Sequence, residues 1–85
     1  MPQKNNLKII ESDIKKFLQT KTGHTIKSVN DDLVKKGIIS SFTMFELIDF
    51  IEKNFKLKVD ILEINPDNFN CIKNITKQIN IWISK

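Results

Sequence analysis

Arginine, alanine and tyrosine are absent from this 85-residue chain, and cysteine, histidine and tryptophan occur once each. Each scarcity closes off an explanation. The lone Cys71 has no partner for an internal disulfide, which makes a reducing, cytoplasmic location the default expectation. His24 follows Gly23 with no metal-ligand spacing around it, so it reads as a surface residue and no metal site is expected. No catalytic constellation or Gly-rich phosphate cradle is present, which argues against an enzyme. Two glycines and two prolines favour long helices over many turns. No apolar run approaches membrane-spanning length, and no apolar stretch of a leader follows Lys4, so no membrane insertion is expected.

All 14 basic side chains are lysine and the net charge is +4. Lysine, asparagine and isoleucine together are what AT-rich codons produce. Nucleic-acid interfaces usually add arginine and exposed aromatics, so no nucleic-acid partner is expected.

Apolar residues make up 40% of the chain and recur at helical spacing. A chain this short buries roughly 60–65% of its unfolded surface, enough for one small core. A single domain over residues 1–85, present as a monomer, is expected. Leu7, Ile10, Ile14, Phe17 and Leu18 predict a helix over about 7–20, capped by Asn5 or Asn6. A long connection follows to Ser40. Its Ile26, Val29, Leu33 and Val34 should lie on the core, and Asn30-Asp31-Asp32 should cap a turn ending near Gly37. A second helix should run from Ser40 or Ser41 to about Asn54, with Met44, Leu47, Ile48, Ile51 and Phe55 inward and Phe42, Glu46, Asp49 and Lys53 outward. Residues 41–55 carry −2 and the rest of the chain +6, an acidic helix on a basic protein.

Leu57-Lys58-Val59 alternates like a strand but has no partner strand, so residues 56–64 read as an extended connector. Asn65-Pro66 should open a short third helix near Phe69, with Pro66 at its first position. A fourth helix over about 71–84 should bury Ile72, Ile75, Ile79 and Trp82. The expected fold is an all-α four-helix bundle with a long first loop and a short third helix.

Ser41 is the strongest candidate site. It follows a glycine-ended turn at the start of an amphipathic helix, where free N–H groups and the helix dipole favour a covalently attached phosphate. An ordinary helix cap is the plain alternative, because serine is a preferred capping residue. Glu46, Asp49 and Glu52 could likewise be a plain solvated face.

The run Asp32-Leu33-Val34-Lys35-Lys36-Gly37-Ile38-Ile39-Ser40-Ser41-Phe42 resembles the modified-serine segment of acyl carrier proteins. The pattern is closest to D-alanyl carriers and stand-alone carriers of peptide-synthetase type. Ile64-Asn65-Pro66-Asp67-Asn68-Phe69-Asn70-Cys71-Ile72 resembles the family's third-helix region, and the likeness spans about residues 30–83. The resemblance implies a carrier that tethers thioester intermediates of fatty acid, polyketide or nonribosomal peptide biosynthesis on 4′-phosphopantetheine attached to Ser41. Phe42, Glu46, Asp49 and Glu52 would then face partner enzymes. Those partners would be a phosphopantetheinyl transferase and the acyl- or aminoacyl-activating and transferring enzymes. Ser40 departs from the family, which has aspartate there to help the transferase. That departure carries the alternative of an unmodified carrier-like interaction module that has lost the arm.

Overall fold

Apolar side chains three and four positions apart give each helix of this protein one buried face. The computed structural model describes residues 7–65 and 67–84. These residues form three α-helices, α1 (Leu7–Thr22), α2 (Ser41–Phe55) and α3 (Ile72–Ser84), with a 3-10 turn at Ile61–Glu63 and no strand. The all-α class expected from the periodicity is what the chain adopts.

α3 is the most regularly amphipathic element. Ile72, Ile75, Ile79 and Trp82 are all buried, as their spacing predicts. α1 packs most extensively against α3, and also against α2. From α1 the core takes Ile10, Ile14 and Leu18, and from α2 it takes Leu47 and Ile51. Phe17 of α1 stacks on Phe50 of α2 with ring centroids 4.3 Å apart, closing the seam between the two helices. Leu7 is exposed, although the periodicity places it inward.

Gly23 ends α1. Its N–H reaches the Gln19 carbonyl at 2.9 Å, and its φ of 74° turns the chain through the left-handed region that glycine adopts without a Cβ clash. The long loop then lies on the core as expected. Ile26 and Leu33 are buried and Val29 is half-buried, while Val34 emerges to solvent.

The stretch expected to hold a short third helix is instead a hydrogen-bonded turn. The Asn68 and Phe69 amides both reach the Asn65 carbonyl at 3.1 Å, and the turn does not propagate. Asparagine side chains explain this: Asn65 Oδ1 accepts from the Asp67 and Asn68 amides, supplying a local alternative to helical pairing. The helix expected fourth is therefore α3. Phe69 is fully buried and anchors the turn to the core. The caps expected at Asn5 or Asn6 and the helical position expected for Pro66 lie outside the described residues.

Phe69→Ala should cost about 3–5 kcal/mol of stability by leaving a cavity. Leu62→Ala should change it by less than about 0.5 kcal/mol, since Leu62 is 92% exposed. Urea unfolding followed by Trp82 fluorescence reads both. Similar midpoints for the two variants would contradict this core.

Candidate functional site

The start of α2 is placed by hydrogen bonds that converge on Leu33. The Leu33 amide donates to the Asn70 carbonyl at 2.7 Å, and the Leu33 carbonyl accepts from the amides of Ile38 and Ile39 at 2.9 and 3.1 Å. A second tie runs from the Lys73 amide to the Val29 carbonyl at 2.9 Å, so the loop is fastened to the first turn of α3. Between Leu33 and Ile38 the chain makes the capped turn that Asn30-Asp31-Asp32 and Gly37 predict. Asp32 Oδ1 accepts from the Lys35 amide at 2.9 Å, and Gly37, with φ 74°, lets the chain reverse. Ile38 and Ile39 then insert into the core and leave Ser40 and Ser41 at the surface.

Ser40 is the N-cap of α2. Its backbone is extended, its Oγ accepts from the Thr43 amide at 3.3 Å, and its carbonyl accepts from the Met44 amide at 2.9 Å. With the cap supplied by Ser40, Ser41 is the first helical residue rather than the cap. Its side chain is exposed, and its hydroxyl has no protein hydrogen-bond partner among the described residues. The first-turn N–H groups of a helix have no intrahelical acceptor, so an anion on Ser41 would sit at the positive end of the dipole. No acidic residue occupies that first turn.

Ser40 and Ser41 form the lip of a cavity of about 410 Å³. Val34, Ile39, Met44, Phe45, Ile64, Asn65 and Phe69 complete its lining. The walls are chiefly apolar, so an aliphatic group could lie beside the hydroxyl without burying an unpaired polar atom.

The other candidate residues fall into two settings. Phe42 is 70% exposed beside Ser41, without a core role. Glu46 pairs with Lys21 of α1 at 3.3 Å, and Asp49 with Lys53 at 3.2 Å, so the acidic stripe is partly neutralised. Glu52 is turned to the chain itself, with Oε2 accepting from the Val59 amide at 3.0 Å. Exposed ion pairs are worth about 0–1 kcal/mol and exchange readily, which leaves Glu46 and Asp49 available to a competing cation.

Two residues belong to this region that the periodicity did not single out. Phe45 is exposed and borders the cavity. Its place three residues after Phe42 was the available signal. Glu63 binds the Trp82 indole N–H at 2.6 Å. A buried tryptophan needs such an acceptor, but nothing local says which residue supplies it. His24 is exposed, and Cys71 is buried just before α3. Among the described residues no cluster of three or more metal-ligating side chains occurs, and no helix is long and apolar enough to cross a membrane.

No family model matches the chain, and no curated protein matches it significantly.

The two serines should separate in a stability experiment. Ser40→Ala should cost about 0.5–2 kcal/mol through loss of the cap, whereas Ser41→Ala should stay within about 0.5 kcal/mol of the parent. Thermal unfolding by circular dichroism measures both. A larger loss at Ser41 would make it the structural residue.

Proposed function

We propose that this protein is a stand-alone acyl or aminoacyl carrier whose Ser41 receives 4′-phosphopantetheine. The observation that carries the proposal is the Ser41 hydroxyl itself: exposed, unpartnered, and the first residue of a 15-residue helix on the lip of an apolar cavity. The cap duty that could have explained this serine belongs to Ser40. The residues fit the group. Ser41 supplies the acceptor oxygen, and the first-turn amides favour the phosphodiester by roughly 0.3–1 kcal/mol when exposed. When bound, the arm supplies a terminal thiol that holds its cargo as a thioester.

The chain's own residues then orient and present that arm. Phe42 offers an exposed apolar anchor, and Glu46 and Asp49 place carboxylates along the same helix. Lysines of a partner would compete with Lys21 and Lys53 for those acids. Such contacts are weak and electrostatically guided, as a carrier that visits several enzymes requires. In this reading the fold is a carrier-protein bundle, and the turn anchored by Phe69 stands where the short third helix would be.

A second reading is an unmodified interaction module of the same fold. The residue that favours it is Ser40, which caps the helix but brings no carboxylate for a transferase to use. Under that reading Ser41→Ala leaves partner binding intact.

Co-expression with a broad-specificity phosphopantetheinyl transferase should add one phosphopantetheine to the chain, and Ser41→Ala should abolish the addition. Ser40→Asp should keep the cap and speed modification. Intact-mass spectra that show only unmodified protein would reject the carrier proposal, and an unchanged rate for Ser40→Asp would reject the role given to that position.

A further inference from the structure

We propose that Glu63 is a latch that holds residues 57–65 as a movable wall of the cavity beside Ser41. Val59 is buried and Leu57 and Ile64 pack against the core, so the wall is attached near its two ends and not between them. Its backbone hydrogen bonds are local: Glu63 to Asp60 at 2.9 Å, Ile64 to Ile61 at 3.1 Å, and Leu57 to Glu52 at the end of α2 at 3.2 Å. Ile61 and Leu62 in its middle are exposed, so little apolar burial holds them down. Segments with few buried contacts and local hydrogen bonds open before the core does.

Two carboxylates pin this wall, one at each end. Glu52 Oε2 accepts from the Val59 amide where the wall begins. Near the far end, Glu63 Oε1 accepts from Trp82 Nε1 at 2.6 Å and from Gln78 Nε2 at 3.4 Å. Asn68 braces the same corner, donating to the Glu63 carbonyl and, at 3.3 Å, to Gln78 Oε1. Trp82 and Gln78 stand on α3, whose Ile72, Ile75 and Ile79 are fully buried, so the latch fastens the exposed middle of the wall to the most firmly packed helix. The next residues after the latch, Ile64 and Asn65, line the cavity directly. A charge-assisted hydrogen bond is strong while made and is lost in one step, unlike apolar packing spread over many contacts. Glu63 is therefore a positioning residue: it sets the width of the cavity without touching Ser41. The latch does not depend on Ser41 being modified.

The test uses the unmodified full chain and the neutral dye N-phenyl-1-naphthylamine as an apolar probe. Glu63→Ala should bind the dye about tenfold more tightly, because apparent affinity follows the fraction of open molecules. Trp82 emission should shift to the red while helical circular dichroism stays the same. Glu63→Gln keeps an acceptor oxygen but loses the charge, so its dye affinity should fall between those of the parent and Glu63→Ala. Adding Val34→Trp at the cavity lip should remove the gain of Glu63→Ala. Unchanged dye affinity in Glu63→Ala, or a gain that survives Val34→Trp, would overturn the proposal. Hydrogen exchange on the parent chain decides the matter independently of any variant's folding. The amides of Glu63 and Ile64 should exchange through an opening less costly than the one that releases Ile75 and Ile79. A single shared opening for all four would also overturn it.

Discussion

Leu33 ties the long loop to the rest of the protein through its amide and closes the loop on itself through its carbonyl. Its amide reaches Asn70 and its carbonyl receives Ile38 and Ile39, while its side chain is fully buried. The consequence lies eight residues downstream. With Leu33 fixed, the Asp32–Gly37 turn has one way to close, Ile38 and Ile39 must enter the core, and the chain emerges at Ser40 in the extended conformation that a helix cap requires. The position of Ser41 is thus set through Asn70, just before α3 and distant in sequence. A loop of this length without regular structure would ordinarily be mobile. Here backbone ties to Asn70 and to Lys73 in the first turn of α3, with two fully or nearly fully buried apolar side chains, Ile26 and Leu33, hold it in register.

Around that fixed point the surface combines three properties. The hydroxyl of Ser41 is free because Ser40 has taken over capping. The nearby side chains are apolar, with Phe42 and Phe45 exposed and the cavity wall formed by Ile64 and Phe69. The acids further along α2 are held by lysines in exposed pairs that contribute little to stability and yield easily to another cation. Together they suit the proposed carrier role, in which a tethered group needs an anion-tolerant attachment point, an apolar shelter and a weakly binding face. The neutral cap at Ser40 bears on a different matter, the efficiency with which a transferase could act.

Much of this was legible from residue spacing. The inward faces of α1 and α3 follow the 3.6-residue period, and the Asp32-to-Gly37 turn follows from a capping aspartate and a glycine able to adopt positive φ. The exposed placement of Ser41, Phe42 and Asp49 was legible for the same reason. What was not legible depends on contacts between distant residues. Glu52 looked like one more solvated acid, because local periodicity cannot show that Val59 returns to it. The turn at Asn65 looked like a helix start, because capping chemistry is the same whether or not the helix continues; the side chains of Asn65 and Asn68 decide that it stops. Glu63 and Trp82 are 19 positions apart, and only the packed fold brings them together.

The central claim concerns the natural state of one hydroxyl. Trypsin cleaves after lysine, so cutting at Lys36 and Lys53 yields the peptide 37–53 with Ser41 inside it. The most direct measurement is tandem mass spectrometry of that peptide from protein isolated from the cells that make it. The account predicts phosphopantetheine on Ser41, released as a characteristic fragment that leaves the modified position identifiable. The peptide recovered wholly without the group, or with it on Ser40, would contradict the account.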